Sequence, residues 1–257
     1  LRISPVLANL LVQRGIDTVE KADKFFKPNL ADLHDPFLMK DMDKAVERVE
    51  RAVRDHEKIM VYGDYDVDGC TAVALVYKFL RQIGHKNLMF YIPDRYTEGY
   101  GISVKGIDLA ARKGVGLIIA LDCGIKATEK VVYAKTKGVD FIICDHHVPD
   151  DILPPAVAIL NAKRADNTYP YDHLSGCGVG FKFMQAFALN NGIEFHQLTP
   201  LLDLVAVSVA SDIVPIMGEN RVLTHHGLKQ LNSNPSVGLK AIIDVCDVSI
   251  YDANFVK

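Results

Sequence analysis

Three short apolar runs in this chain each stop on acidic residues, and that repetition restricts the fold more than any other feature. Residues 59–62 run into Asp64, Asp66 and Asp68; residues 117–121 run into Asp122-Cys123-Gly124; residues 141–144 run into Asp145-His146-His147. Continuous apolar runs of this length, separated by longer stretches of helical period, read as strands buried on both faces. From Lys58 the order is strand (59–62), helix (71–83), strand (88–92), helix (104–112), strand (117–121), helix (127–137), strand (141–144) and a last strand at 157–160. This βαβα rhythm predicts an α/β fold, a parallel sheet with helices on both sides. Ligands of such sheets sit beyond the carboxyl ends of the strands. The three acidic endings are therefore expected on one edge.

The flanks read as helical. A lead-in over residues 1–57 carries amphipathic segments at 4–14, 18–26 with Thr18 as N-cap, and 41–55, with Pro28 and Pro36 bracketing an irregular connector. After the sheet, helices are expected at 179–190, 198–210, 225–231 and 238–245. The division is thus a lead-in and a catalytic α/β domain, 58–257, with a helical extension. The chain starts without Met and reaches Lys257 with no stop signal of its own, so further C-terminal domains of the same protein are expected.

Composition narrows the setting. Of 257 residues, 49% are hydrophobic and 24% charged, as in ordinary globular proteins. No apolar run approaches the ~20 residues that span a bilayer, and no signal peptide is visible, so a cytoplasmic protein without a membrane partner is expected. The five cysteines (Cys70, Cys123, Cys144, Cys177, Cys246) are odd in number and form no CxxC pair. That argues against a disulfide framework or structural zinc and for a reducing compartment. Those beside the acidic motifs read as small buried residues rather than thiol ligands. The net charge of -3 does not advertise a nucleic-acid binder. Bound divalent ions would offset it.

Alternate carboxylates in one turn repel each other unless a cation sits among them. Oxygen ligands with imidazole suit Mn²⁺ or Mg²⁺. The set exceeds what one ion needs; two ions ~3.5–4 Å apart, sharing a carboxylate, would balance the charge. An EF-hand would need ligands at Ala72 and Leu75 and a helix before Asp64, where a strand is expected. An aspartyl phosphotransferase would leave Asp145-His146-His147 unexplained. A solvated acidic turn is the bland alternative.

The set Gly63-Asp64-Tyr65-Asp66-Val67-Asp68-Gly69, Asp122-Cys123-Gly124 and Asp145-His146-His147 resembles the DHH phosphoesterase superfamily. Within it, the segment from Ile92 to Gly101, the Ser175-Gly176-Cys177-Gly178-Val179-Gly180 run, the segment from Val209 to Pro215 and Glu219-Asn220-Arg221 resemble the RecJ-type single-strand DNA exonucleases. Arg14-Gly15-Ile16 and Asp35-Pro36-Phe37 match the same group. The resemblance implies metal ligation by Asp66, Asp68, Asp122, His146 and Asp212, with Asp64 a ligand or a neighbour of one. It implies Asp122 as the bridge between two ions, and His147 as an acid or clamp on the scissile phosphate. The implied reaction is two-metal hydrolysis of single-stranded DNA from its 5′ end, in repair and recombination. Relatives acting on short oligonucleotides, cyclic dinucleotides or pyrophosphate, and inactive binding relatives, are the alternatives.

Further residues are weighed individually. Arg95, just past a strand end, is expected to hold a terminal or scissile phosphate in its planar fork, chiefly through the resemblance; a surface salt bridge is the alternative. Tyr96 and Tyr100 read equally as base-stacking or buried residues. Ser175 and Gly176 open a helix whose N–H groups are expected at a substrate phosphate, with a tight-packing turn as the alternative. Asp145 and Asp203 are expected to orient ligands without binding metal. His225-His226, and with them His34, His56, His85, His173 and His196, read as surface. Oligomeric state leaves no mark.

Overall fold

The computed structural model describes residues 3–246. Its helices are α1 (Pro5–Gln13), α2 (Val19–Phe26), α3 (Met42–Arg54), α4 (Val67–Gln82), α5 (Val104–Arg112), α6 (Thr128–Thr136), α7 (Gly176–Asn190), α8 (Leu202–Ser211), α9 (Gly218–Ser233) and α10 (Val237–Cys246). Its strands are β1 (Lys58–Gly63), β2 (Leu88–Tyr91), β3 (Val115–Leu121), β4 (Asp140–Cys144) and β5 (Ala158–Leu160). All pair in parallel, in the order β2-β1-β3-β4-β5.

The apolar runs are buried on both faces. Ile59, Val61, Leu117, Ile119, Ile142 and Cys144 point into a core shared with α3, α4, α7 and α8. Met60, Tyr62, Ile118, Ala120, Phe141 and Ile143 point into a second core under α5 and α6. Strand order reverses direction between β1 and β3, which opens a crevice at their carboxyl ends. Register brings the acidic endings level there: Gly63 pairs with Leu121, and Leu121 with Cys144, so Asp64, Asp122 and Asp145 leave the sheet side by side.

Three helices start earlier than apolar period suggests. α4 starts at Val67, because Asp66 caps it by accepting from Gly69 N at 2.9 Å, and Asp68 therefore lies inside its first turn. α7 starts at Gly176 behind a Ser175 cap and is buried as far as Ala188, so its glycine run is helix rather than loop. α9 starts at Gly218, seven residues before the expected 225.

A buried clamp ties the lead-in to this body. Lys182 on α7, fully buried, donates from Nζ to the His34 carbonyl at 2.6 Å and to Glu219 Oε1 on α9 at 3.1 Å. The same carboxylate accepts from His34 N at 2.9 Å and from the Tyr169 hydroxyl.

Candidate metal centre

Asp68 is tied through both of its carboxylate oxygens. It accepts from Gly176 N and Cys177 N at 2.7 Å each, and from Ser208 Oγ on α8 at 2.7 Å. Its carboxyl is nevertheless pushed up, because burial outweighs those donors. The turn before it is tight. A Cβ at Gly69 would meet the Asp64 carbonyl oxygen at 2.5 Å, so only glycine lets α4 begin directly under Asp64.

Asp122 follows β3 with φ of 58°, in the left-handed region that non-glycine residues rarely occupy. Its side chain is buried, and Oδ1 has no hydrogen-bond partner. Burial, with Asp68, Asp66 and Asp145 nearby, pushes its carboxyl up to about 10. A Cβ on Gly176 would stand 2.6 Å from Asp122 Cβ, so the opening of α7 packs against Asp122 without a side chain between them.

His146 follows β4 by two residues and gathers the carboxylates. Its Nε2 lies 3.1 Å from Asp122 Oδ1, 3.5 Å from Asp212 Oδ2 and 3.7 Å from Asp68 Oδ2. Both ring nitrogens are buried and make no hydrogen bond. Asp122 Oδ1 and the His146 nitrogens are thus crowded among other donor atoms yet unbonded, a set that could hold a shared cation. They form two overlapping groups, Asp68-His146-Asp212 and Asp122-His146-His147. Asp212 reaches its place as the C-cap of α8.

Asp64 and Asp66 lie outside those two groups. Asp64 is buried, accepts weakly from Gly101 N at 3.5 Å and leaves Oδ2 unpartnered; burial and Asp66 raise its carboxyl. Asp66 is exposed and shares a cleft of about 130 Å³ with Asp68 and Asp212.

Asp145 is buried and stands outside both groups. It accepts from Ile125 N at 2.9 Å, His146 N at 2.8 Å and His147 N at 3.1 Å. Its Oδ1 also holds His147 Nδ1 at 2.7 Å, and that contact raises the imidazole's hold on a proton. On the other side, His147 Nε2 meets the Tyr100 hydroxyl at 3.2 Å. Tyr100 packs edge-on to Tyr65, and the exposed Arg95 guanidinium lies over the Tyr65 ring at 5.2 Å.

Several expected roles are corrected. Ser175 is fully buried; its Oγ accepts from Gly178 N at 3.1 Å and meets Ser208 Oγ at 2.6 Å. The Gly176 N–H is spent on Asp68. Neither faces a substrate phosphate, because the helix terminus is already neutralised by the protein's own carboxylate. Asp203 does not orient Asp212. It sits at the other end of α8 and accepts from Ser236 N and, at 3.1 Å, Ser236 Oγ, tying down the start of α10. His85 is buried rather than on the surface. Tyr96, at 93% exposure, is not packed in the core. Of the cysteines beside the acidic motifs, Cys123 and Cys144 are buried, as expected, whereas Cys70 is half-buried; burial pushes each thiol up. Ser208 is the site residue that sequence reading missed. Its one signal is a hydroxyl four positions before Asp212 in a mostly apolar helix.

The sequence model of the DHH family, N-terminal domain, matches residues 58–209. The chain belongs to the DHH family. Among curated relatives it is 41% identical over 254 residues to the single-stranded-DNA-specific exonuclease RecJ of Bacillus subtilis (strain 168), covering 99% of this chain and 31% of that protein. It is 34% identical over 256 residues to RecJ of Escherichia coli (strain K12), covering 95% of this chain and 44% of that protein. The chain thus spans less than half the length of these relatives. A crystal structure of exonuclease RecJ bound to manganese superposes with a TM-score of 0.77 at 29% identity, covering 89% of this chain and 56% of the other. RecJ from Thermus thermophilus in complex with Mn²⁺ gives 0.76 at 26% identity, over 95% and 33%. The DHH match stops at residue 209, just short of Asp212.

Proposed function

We propose that this chain is the catalytic core of a metal-dependent single-strand DNA exonuclease that hydrolyses phosphodiesters from the 5′ end in DNA repair and recombination. The observation that carries the reading is the ring of Asp68, Asp122 and Asp212 carboxylates around Nε2 of His146. It stands in a chain whose curated relatives are exonucleases of single-stranded DNA.

The residues present fit divalent cations. Asp122 Oδ1 and both nitrogens of His146 are buried without partners, and carboxylate with imidazole is a donor set for Mn²⁺ or Mg²⁺. Manganese is bound in two related structures. Asp68, Asp122, His146 and Asp212 would hold the cations, with Asp66 and Asp64 completing the set. Bound ions would stabilise charge on the attacking and leaving oxygens of a phosphodiester. The other steps belong to side chains. Asp145 holds the His147 ring through Nδ1 and favours its protonated form, so Nε2 presents a proton or a positive charge to a phosphate oxygen. Arg95, lying over Tyr65, offers its fork to a terminal or scissile phosphate. Tyr65 and the exposed Tyr96 offer ring faces to bases. Unpaired cysteines agree with action in a reducing cytoplasm. Further domains of the longer protein would grip the strand.

The test is an assay of the full-length protein with Mn²⁺ on 5′-labelled single-stranded DNA, duplex DNA, dinucleotide and pyrophosphate, beside Asp122→Ala. Single strands should be degraded and duplex spared, with activity down at least ~10³-fold in the variant. Preference for dinucleotide or pyrophosphate would move the assignment to a small-substrate phosphoesterase. No Mn²⁺-dependent turnover at all would leave a binding role.

A further inference from the structure

Between the lead-in and α9 lies a cavity of about 290 Å³, apart from the acidic cluster, lined by Arg14, Lys21, Lys24, Phe25 and Arg221 among others. Arg221 is held rigidly there. Its guanidinium lies flat over Phe25, with Cζ 3.6 Å from the ring centroid, and Nε–H donates to the Phe25 carbonyl. The remaining N–H groups of its fork make no hydrogen bond among the described residues.

The protein treats its buried arginines differently. Arg48 is bonded to Glu57 and Asp140, and Arg164 to Asp41 and Asp166. Arg221 has no such counter-charge among the described residues, and burial alone pulls it below its usual value. The carboxylates near the cavity are otherwise engaged. Glu219 is held by Lys182, Tyr169 and the His34 N–H. Asp32 lies 3.3 Å from Lys24, and Asp17 is 2.7 Å from Lys21. Arg14 makes only a contact to the Leu10 carbonyl, at 3.2 Å, so a second arginine stands without an acid among the described residues. A desolvated guanidinium costs stability unless an anion meets it.

We propose that this cavity is a phosphate-binding site, in which Arg221 takes two oxygens with its fixed fork and Arg14 closes over a third. Fork geometry and several cations together favour a phosphate over a single carboxylate. The phosphate belongs either to a free mononucleotide or to the backbone of a bound strand. The second source is within reach: Met217 on the cavity rim stands five positions after Asp212, a span of at most about 18 Å. The site does not depend on what the acidic cluster hydrolyses.

The test is calorimetry of the metal-free chain with inorganic phosphate, a 5′-mononucleotide, a short single-stranded oligonucleotide and acetate, using the parent, Arg221→Lys and Arg14→Ala. Arg221→Lys keeps the charge and loses the fork; Arg14→Ala alters an exposed side chain and guards against a folding defect at 221. Each variant should weaken phosphate-bearing ligands about tenfold and leave Mn²⁺ binding unchanged, and Arg14→Ala, which removes a charge, should also lower the salt dependence of oligonucleotide binding by about one phosphate contact. Loss with all phosphate ligands identifies a free phosphate source, and loss with the oligonucleotide alone identifies the strand. Unchanged binding of every ligand in Arg14→Ala, or acetate bound as tightly as phosphate, overturns the site.

Discussion

Asp122 combines a left-handed φ of 58° with a buried, unpartnered oxygen, and both are costs that folding alone would not retain. Backbone strain of this kind is worth on the order of 1–3 kcal/mol and persists where function requires it. Its carboxyl rises from 3.8 to about 10 through burial and neighbouring carboxylates, so the folded metal-free protein holds this proton more tightly than the unfolded chain does. Stability from this group is therefore fully present below pH ~4 and lost as pH climbs toward 10. Asp122→Asn should flatten that slope and raise the melting temperature of metal-free protein at pH 8 by several degrees, while removing stabilisation by Mn²⁺. A variant that melts lower than the parent in chelator would show that Asp122 is not the strained group. Gly176→Ala tests the packing beside it. A Cβ there meets Asp122 Oδ1 at 2.7 Å, so Mn²⁺ affinity by calorimetry should drop roughly 10–100-fold with helix content retained. Charge at strand ends made Asp68, Asp122 and His146 legible in the sequence. Ser208 was not legible, since a serine in an apolar helix looks like any small residue. Ser175 and Gly176 misled because a helix N-terminus attracts any anion, and here Asp68 from α4 takes it first.

The elements show what apolar period can and cannot reveal. β1, β3 and β4 were readable because both faces are buried, and the structure extends the run at 117–121 only back to Val115. Helix starts were harder. Period becomes visible only once apolar residues accumulate, but α4, α7 and α9 begin in polar or glycine-rich turns fixed by caps and by contacts distant in sequence. The segment from Asp94 to Ser103 is the clearest case of order without period. Glu98 accepts from the Tyr91 hydroxyl and Ser103 Oγ at 2.6 Å each, and from Asp94 N at 3.1 Å. Burial raises this carboxyl, but Ser103, Tyr91 and Asp94 outweigh it and bring it from 4.5 to about 2. Its stabilisation is present above pH ~4.5 and lost as pH falls toward 2. Hydrogen exchange over residues 94–103 should accelerate selectively across that window, relative to β1 and β3. Glu98→Gln should show the faster exchange already at neutral pH, with a several-fold rise in KM for single-stranded DNA through a loosened Arg95. Equal protection in parent and variant would remove Glu98 as the anchor.

At the scale of the molecule, the acidic edge is repulsive by itself, so cation binding is also folding energy. At Mn²⁺ a hundredfold above its dissociation constant the gain is about 2.7 kcal/mol. For a chain of this size that is a rise of roughly 5–10 °C in melting temperature. Thermal melts should show it, chelator should reverse it, and Asp122→Ala should abolish it; a melting temperature indifferent to Mn²⁺ would argue against a preformed site. The architecture itself was legible, because strand order and the crevice at its reversal follow from βαβ connections. The clamp on the lead-in was not, because it centres on Lys182, an isolated cation in an apolar helix whose partners lie far along the chain. That clamp sets where the protein can be cut. The family match covers 58–209, whereas the lysine's acid is at 219, its carbonyl partner at 34 and the last carboxylate of the cage at 212. Moved into another scaffold by its matched boundaries alone, the piece would carry an open cage and a buried ammonium with nothing to answer its charge.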